Sequence, residues 1–365
     1  MEDLFKNAYF GKSFMMIGDS LPHCFNCSYC RANDNEEKHF SILPSELNPM
    51  FKKIPVAVNL FYGDPMLQID NTMNYLYRLE EAGHTGPVII ITKGNLRKFP
   101  KDRKLNLDLH FGLSTFGVDT TPSYDGGSMG GFRDNLEYAR ELGYKYSIEF
   151  RPIINHINDD RETIEDVFKL AVEHETGIGY CGLQVSPILK KHIEDEKLPF
   201  IPYEGCGFGM KKFLPPKITG IFDEFNEKYP KVHAFKKTSC LIAWKHGLDR
   251  DPNAHYYRPN EVGCKTCPMY EKCMIYKNSL DKCEDVELPF DYEIVDKEHH
   301  TCGLFKLGVC KFPSSDCMNI NGKLMKINEK ITTTDVRLIK WLTGYTVDAE
   351  FVESPYMSKK WITSK

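Results

Sequence analysis

Short runs of apolar residues recur from the start of the chain to about residue 230, and longer stretches with apolar residues three to four apart lie between them. The short runs have the length of buried strands, and the longer ones have the spacing of amphipathic helices. The predicted strands are 13–17, 56–62, 88–92, 107–114, 144–152 and 180–186, and the predicted helices are 44–53, 70–82, 131–142 and 160–174. Because alternating strands and helices require crossover connections, the pattern predicts an α/β fold with a parallel sheet.

The last of these helices has the clearest boundaries in the sequence. Asp159 and Asp160 stand at its start, where a short acidic side chain caps the first turn. Apolar residues then follow at helical spacing along one face: Ile164, Val167, Phe168 and Ala171.

Three cysteines follow the first predicted strand at a spacing that suits metal binding: Cys24, Cys27 and Cys30. Thiolates are soft ligands for iron and zinc. A ferredoxin run would place a fourth cysteine at position 34, which is Asp34 here. An iron–sulfur cluster held by this loop would therefore have one iron open to another ligand. A structural zinc completed by His23 or His39, or a set of buried thiols, is the alternative.

The composition agrees with a metal-binding interpretation of the cysteines. The 365 residues include 13 cysteines, and the start of the chain, MEDLFKNAYF, does not resemble a secretion signal. We therefore expect a reducing, cytoplasmic setting in which thiols bind metal rather than form disulfides. We expect no membrane association, because no apolar run approaches the ~20 residues of a membrane span. The net charge of −4 gives no overall attraction for nucleic acid, although a local basic face is compatible with it.

Polar residues stand at the ends of several predicted strands. In a parallel sheet these carboxyl ends share one edge, which is where functional loops lie. The candidates are Gly63, Asp64, Lys93, Ser114 and Arg151. The cysteine loop follows the first strand, so we expect it at the same edge.

Together these residues resemble a radical S-adenosylmethionine (radical SAM) enzyme. The resemblance rests on Cys24, Cys27, Tyr29-Cys30 and the turn Gly63-Asp64-Pro65, and it covers roughly residues 10–230. The first cysteine gap is one residue shorter than the superfamily's C-x3-C-x2-C, and the turn is Tyr-Gly-Asp-Pro instead of Gly-Gly-Glu-Pro. Within the superfamily, residues 91–93, 112–115 and 148–154 are similar to the spore photoproduct lyase branch.

The resemblance implies a partial (β/α)6 barrel and a role for each candidate residue. Cys24, Cys27 and Cys30 would hold a [4Fe–4S] cluster whose open iron binds the methionyl group of SAM. Tyr29 would pack near the adenine, and Gly63 and Asp64 would receive the methionyl ammonium. The candidates for the methionyl carboxylate and the ribose are Lys93, Ser114 and Arg151.

The function implied is reductive cleavage of SAM to a 5′-deoxyadenosyl radical that takes hydrogen from a substrate. The reductant would be a protein such as flavodoxin or ferredoxin. The likeness to the lyase branch suggests a nucleic-acid base as substrate, for repair or modification. The alternatives are a peptide or protein maturase, and a metal-stabilised binding protein that never cleaves SAM.

A cysteine-rich segment, 231–287, follows the predicted barrel of residues 1–230. A tight C-x2-C pair with further cysteines predicts a metal site. The candidate ligands are Cys240, Cys264, Cys267, Cys273 and Cys283. The segment resembles the SPASM or twitch type of auxiliary cluster region, which implies a second [4Fe–4S] cluster, and a structural zinc is the alternative.

The remaining residues, 288–365, predict a small C-terminal cap. Thr334 and Asp335 begin an amphipathic helix that ends at Gly344. We interpret Cys302, Cys310 and Cys317 as core or free thiols, with a metal role open because His299 and His300 stand beside Cys302. The region is locally basic through Lys323, Lys326, Lys330, Arg337 and Lys340, which predicts either a solvated face or contacts to nucleic-acid phosphates.

Overall fold

The computed structural model describes residues 9–10, 15–18, 52–58, 63–118, 131–185, 187–195, 203, 214–248, 266–273, 288–296, 323–343, 345–352, 358 and 360. Several predictions fall outside these residues: Tyr29, the helix at 44–51, and the cysteines Cys24, Cys27, Cys30, Cys264, Cys283, Cys302, Cys310 and Cys317.

An eight-stranded sheet forms the centre of the described chain. Its strands are β1 (Tyr9–Phe10), β2 (Met15–Ile17), β3 (Val56–Val58), β4 (Pro87–Thr92), β5 (Asp108–Thr115), β6 (Lys145–Ile153), β7 (Gly177–Gly182) and β8 (Ala234–Phe235). They follow one another across the sheet in chain order. Strand β1 is antiparallel to β2, and every pairing from β2 to β8 is parallel. The predicted α/β class is confirmed, and the sheet is open in the described chain because β1 and β8 are its two ends.

Six helices accompany the main sheet in the described chain, and the first three correspond to the predicted ranges 70–82, 131–142 and 160–174. They are α1 (Ile69–Glu81), α2 (Phe132–Leu142), α3 (Arg161–Glu173), α4 (Pro187–Asp195), α5 (Pro216–Lys228) and α6 (Thr238–Lys245). The cap of α3 is confirmed, because the Asp160 carboxylate accepts a hydrogen bond of 2.8 Å from the backbone N–H of Thr163. None of the helices in the described chain is long and apolar enough to cross a bilayer.

The two faces of the sheet pack against different elements. Alternate strand residues such as Val56, Val58 and Ile90 form one large core with the buried sides of α1, α2, α3 and α5. We call this the outer face. The residues between them, Ala57 and Ile89, point to the opposite side, the inner face, because successive strand residues alternate.

Helix α6 lies on the inner face, unlike the helices that cover the outer face. Ile242 packs with Ala57 of β3 and Ile89 of β4 in a separate small core. At Gly177 of β7, an added Cβ would lie 2.5 Å from Leu241 and 2.8 Å from Trp244, so the helix packs directly on the strand backbone. The inner face is therefore covered by a segment that follows the last parallel strand.

A three-stranded sheet forms the C-terminal part of the described chain. Its strands are β9 (Tyr292–Asp296), β10 (Lys323–Thr332) and β11 (Thr346–Val352), with β10 in the middle. Helix α7 (Thr333–Thr343) connects β10 to β11. The cap differs by two residues from the prediction: Thr332 accepts from the Asp335 backbone N–H at 3.1 Å, and the Asp335 carboxylate accepts from the Thr332 backbone N–H at 2.8 Å. This reciprocal pair is a capping box.

Candidate functional site

The carboxyl ends of the parallel strands bring the predicted polar residues to one edge of the sheet. Gly63 and Asp64 follow β3 after a short undescribed segment, Lys93 follows β4, and Ser114 lies at the end of β5. Arg151 lies near the end of β6, and the register pairs Ser114 with Glu149 two residues earlier on that strand. The chain that leaves β2 toward the three cysteines starts from this edge, because β2 is parallel to β3.

Asp64 joins the β3 loop to the β4 loop through four hydrogen bonds. One carboxylate oxygen accepts from the Met66 backbone N–H at 2.8 Å and from the Thr92 hydroxyl at 2.5 Å. The other accepts from the backbone N–H groups of Lys93 at 2.7 Å and Gly94 at 3.2 Å. Burial raises the pKa of Asp64, and these bonds oppose that rise. Donors on both oxygens are the arrangement of an ionised carboxylate.

This bonding pattern bears on the predicted role of Asp64. A carboxylate has about four acceptor positions, and loop donors already occupy that number. In the structure Asp64 therefore fixes two loops relative to each other, while its contact with a methionyl ammonium stays a prediction. A glycine lies beside the Asp64 carboxylate in each of the two loops. Gly63 has a φ of 140°, and a Cβ on Gly94 would lie 2.8 Å from Asp64 Oδ1.

A second polar cluster on the inner face contains Arg151, a candidate ligand-binding residue from the sequence, together with Glu149 and Thr238, which were not among those candidates. Arg151 Nη2 lies 3.2 Å from Glu149 Oε2, and Arg151 Nη1 donates to the Thr238 hydroxyl at 3.0 Å. The Thr238 hydroxyl in turn donates to Glu149 Oε2 at 3.4 Å. The side chain of Glu149 is fully buried and that of Arg151 is 20% exposed, so Arg151 is the charged member of the cluster that solvent reaches.

Two glycines on the neighbouring strands make room for the buried Glu149. A Cβ on Gly112 of β5 would lie 3.0 Å from Glu149 Cγ, and one on Gly179 of β7 would lie 2.5 Å from Glu149 Oε2. Any side chain at either position would displace the carboxylate. Glycines on both neighbouring strands suit Glu149, since a charged residue inside a buried strand requires space and a partner.

Thr238 gives no comparable sequence signal. It is the first residue of α6, and it reaches Arg151 because that helix lies on the inner face of the sheet. The sequence pattern did not predict α6, so it gave no indication of the contact between Thr238 and Arg151.

A third polar cluster lies at the opposite, amino end of the strands. His246, just after α6, contacts Asp108 Oδ2 at 2.6 Å through Nδ1 and His110 Nδ1 at 3.2 Å through Nε2. His110 Nε2 contacts the Ser147 hydroxyl at 2.8 Å, and Lys145 pairs with Asp108 at 2.7 Å. Polar contacts therefore hold both ends of α6. Thr238 at its start contacts β6, and His246 just after its end contacts β5 and β6.

Burial and hydrogen bonds set the charge states in this third cluster, which we call the lower polar cluster. Burial would raise the pKa of Asp108, but hydrogen bonds from His246 and Lys145 outweigh it and lower the pKa to about 2. Burial lowers the pKa of His110 well below its ordinary value and also lowers that of His246, where Asp108 opposes the effect. A neutral, hydrogen-bonded histidine pair next to an ionised aspartate is the state expected at neutral pH.

The proposed auxiliary metal site is only partly within the described chain. Cys240 lies on α6, and Cys267 and Cys273 lie in residues 266–273, while Cys264 and Cys283 lie outside the described residues. Among the residues that the structure describes, no three histidine, cysteine or acidic side chains are grouped as ligands of one metal ion. The auxiliary site therefore stays a prediction.

Comparison with known proteins gives similarity in fold at low sequence identity. No family model and no curated protein sequence matches the chain. Streptococcus suis SuiB bound to S-adenosylmethionine matches with a TM-score of 0.41 and 13% identity, over 62% of this chain and 51% of SuiB. The chain thus spans about half of SuiB.

For two further solved structures, the match spans a larger share of their own length than it does for SuiB. A spore photoproduct lyase double mutant with bound AdoMet and dinucleoside spore photoproduct matches with a TM-score of 0.46 and 15% identity, over 63% of this chain and 78% of the lyase. A radical SAM methyltransferase from Sphaerobacter thermophilus matches with a TM-score of 0.42 and 13% identity, over 62% of this chain and 67% of that enzyme. The methyltransferase is named as a radical SAM enzyme, and the SuiB and lyase structures are named as complexes with S-adenosylmethionine.

Proposed function

We propose that this chain is a radical SAM enzyme that binds SAM at the carboxyl edge of its parallel sheet. The observation that carries the proposal is the convergence of three elements on that edge. The chain enters the three-cysteine segment from β2, Asp64 fixes the β3 and β4 loops, and the partly exposed Arg151 lies near the end of β6. A metal ligand set, a rigid turn and an anion-binding group are what a site for an amino-acid cofactor at an open iron requires.

In this proposal the described residues bind and orient SAM. Arg151 suits the methionyl carboxylate, because a guanidinium offers five N–H donors and the contacts to Glu149 and Thr238 engage one on each terminal nitrogen. Ser114 and Lys93 are candidates for the ribose and the carboxylate, and Gly63 lets a ligand approach the backbone. Tyr29 is the proposed adenine neighbour.

Cys24, Cys27 and Cys30 are the proposed ligands of the [4Fe–4S] cluster. With SAM bound, such a cluster supplies reductive cleavage to a 5′-deoxyadenosyl radical, and a flavodoxin or ferredoxin is the proposed electron source. The apolar inner core of Ala57, Ile89 and Ile242 fits the need to exclude water from that chemistry.

The substrate class is the less constrained part of the proposal. A nucleic-acid base requires phosphate contacts, for which the C-terminal lysines are the candidates. Two of them are engaged by acidic residues: Lys326 pairs with Glu293 at 3.3 Å, and Lys330 pairs with Glu350 at 3.2 Å. These pairs reduce the positive field of β10, and this observation favours the alternative of a peptide or protein substrate.

The test is formation of 5′-deoxyadenosine. Full-length protein reconstituted anaerobically with iron and sulfide is incubated with SAM and dithionite, and the products are separated by chromatography. We expect 5′-deoxyadenosine from the wild type and none from the variant Cys24→Ala, Cys27→Ala, Cys30→Ala. Equal product from both proteins would refute the proposal, and no product from either would favour the metal-stabilised binding protein.

A salt series separates the two substrate classes. Binding of single-stranded and duplex oligonucleotides is measured by fluorescence anisotropy at two salt concentrations. A nucleic-acid substrate predicts tight binding that weakens with salt, with a slope of roughly −0.7 per phosphate contact for single strands. We also expect single strands to bind better than duplex, because a base must leave the stack to react. Weak or salt-independent binding would support the peptide alternative.

A further inference from the structure

Thr238 closes a ring of contacts around the Arg151 guanidinium. We propose that Thr238 is a positioning residue, which holds the Arg151 guanidinium in the orientation that receives the carboxylate of the bound ligand. This inference rests on the proposed function, in which that carboxylate belongs to the methionyl part of SAM. It adds a role for α6, a helix outside the predicted barrel.

An arginine at the end of a strand needs to be held before it can bind a carboxylate well. Its long side chain has many rotamers, and it loses that conformational freedom when it is fixed. Two anchors on different terminal nitrogens fix the plane of the guanidinium, whereas one anchor leaves it free to rotate. Glu149 supplies the anchor at Nη2 and Thr238 supplies the anchor at Nη1, at 3.2 Å and 3.0 Å.

The hydroxyl of Thr238 is itself held in place from two directions. Its β-branched side chain has few rotamers, and its hydroxyl donates to Glu149 Oε2 at 3.4 Å while it accepts from Arg151. The helix that carries it is fixed in the middle by Ile242 against Ala57 and Ile89, and beyond its far end by His246 against Asp108 and His110. The position of the hydroxyl is therefore set by the packing of the whole helix.

Thr238 is also the member of the ring whose role is easiest to isolate. Replacing Glu149 removes a buried negative charge, which changes both the orientation and the electrostatic field of Arg151, with opposite effects on anion binding. Replacing Thr238 with valine keeps the shape and the charge of the site and removes the hydroxyl alone. Thr238→Ser keeps the hydroxyl and removes the methyl group, so it is the matched control.

The experiment compares two ligands that differ in the methionyl group. Binding of SAM and of 5′-methylthioadenosine, which lacks the amino and carboxylate groups, is measured by calorimetry on the reconstituted full-length protein. We expect Thr238→Val to weaken SAM binding by roughly tenfold, the loss expected when one hydrogen bond to a charged group no longer orients its partner. Binding of 5′-methylthioadenosine should stay unchanged. Thr238→Ser should restore SAM affinity, and Arg151→Lys should show the same ligand selectivity as Thr238→Val.

Two results would overturn the inference while leaving the proposed function intact. One is a Thr238→Val protein that binds SAM as tightly as the wild type. The other is an equal loss for both ligands, which would show that the residue acts on the structure of the whole site and not on the carboxylate. A wild-type protein that binds no SAM would refute the proposed function, and the inference with it.

Discussion

The contacts of Asp64 give this side chain a structural role that the sequence motif did not predict. The resemblance implied a ligand-binding carboxylate, and the structure gives it four hydrogen bonds to the β3 and β4 loops. Three of these bonds come from backbone N–H groups, which the sequence does not reveal. The ligand-binding role of this position stays a prediction, and the partners that the structure gives it depend on how two loops meet in space.

The Asp64 contacts lead to a stability prediction. In Asp64→Asn an amide N–H₂ replaces one acceptor oxygen and faces N–H donors, so at least one buried donor loses its partner. We expect the free energy of unfolding to fall by about 1–3 kcal/mol, the usual cost of such a loss. Urea denaturation measures it, with Asp102→Asn, at an exposed position, as the control. A variant as stable as the control would show that the loops are held by other contacts.

At the scale of elements, β7 and α6 explain why part of the site escaped the sequence analysis. The predicted strand 180–186 begins three residues later than β7, because Gly177 and Gly179 are unfavourable in strands and obscure its start. The structure gives the reason for both glycines: one makes room for α6 and the other for Glu149.

Helix α6 has three consecutive buried apolar residues, Leu241, Ile242 and Ala243, so it lacks the one-sided pattern that identified α1, α2 and α3.

The close packing of α6 on β7 predicts a strong effect of a single methyl group. A Cβ at Gly177 would lie 2.5 Å from Leu241 and 2.8 Å from Trp244, so Gly177→Ala must displace these side chains from their packing on β7. We expect a loss of about 1–3 kcal/mol in unfolding free energy, as for other overpacked cores. Gly220→Ala in α5 is the matched control, because an added Cβ there meets no atom within 4 Å. That control should gain up to about 1 kcal/mol. Equal effects of the two substitutions would contradict the described packing of α6.

The lower polar cluster at the far end of α6 predicts how stability depends on pH. Burial lowers the pKa of His110 and His246 in the folded protein, so both are neutral at pH values where the unfolded chain, with a pKa near 6.5, gains protons. The free energy of unfolding should therefore fall as the pH decreases below about 6.5, by at most ~1.4 kcal/mol per pH unit for each histidine. Asp108, with its pKa lowered to about 2, stays ionised in this window. The groups that face the two imidazoles are Asp108, Lys145, Lys245 and Ser147.

Urea denaturation at pH 7, 6 and 5 tests this dependence. His246→Gln removes one of the titrating groups, so its unfolding free energy should fall less steeply between pH 7 and pH 5 than that of the wild type. His156→Asn, at an exposed position where asparagine tolerates the positive φ of 61°, is the control and should keep the wild-type slope. Parallel slopes for wild type and His246→Gln would show that His246 does not gain a proton on unfolding between pH 7 and pH 5.

For the molecule as a whole, the sequence predicted what depends on local periodicity and left out what depends on tertiary contact. The α/β class, the parallel sheet and helices α1, α2 and α3 follow from apolar spacing, and each lies within a few residues of its predicted range. The three-stranded C-terminal sheet was not predicted, because β9 and β10 are distant in the sequence and their pairing is a tertiary contact. The position of α6 on the inner face was also not predicted, because it depends on tertiary packing against the sheet and not on local sequence spacing.

The metal content of the whole protein tests the two cysteine-rich segments together. If both hold [4Fe–4S] clusters, anaerobically prepared wild-type protein should contain about eight irons per chain, and about four with one zinc if the second segment is structural. The triple variant Cys24→Ala, Cys27→Ala, Cys30→Ala should lose about four irons in either case and keep the second metal.

Cys240→Ser tests whether the second metal is connected to the candidate site. Cys240 lies on α6 two residues after Thr238, so a metal that Cys240 binds would be joined through this helix to the Arg151 contacts. We expect Cys240→Ser to reduce the second metal and to weaken SAM binding, while the iron of the first segment is retained. Metal analysis and calorimetry on the same preparation measure both quantities. Unchanged metal content in this variant would exclude Cys240 as a ligand and would leave α6 with a role in positioning alone.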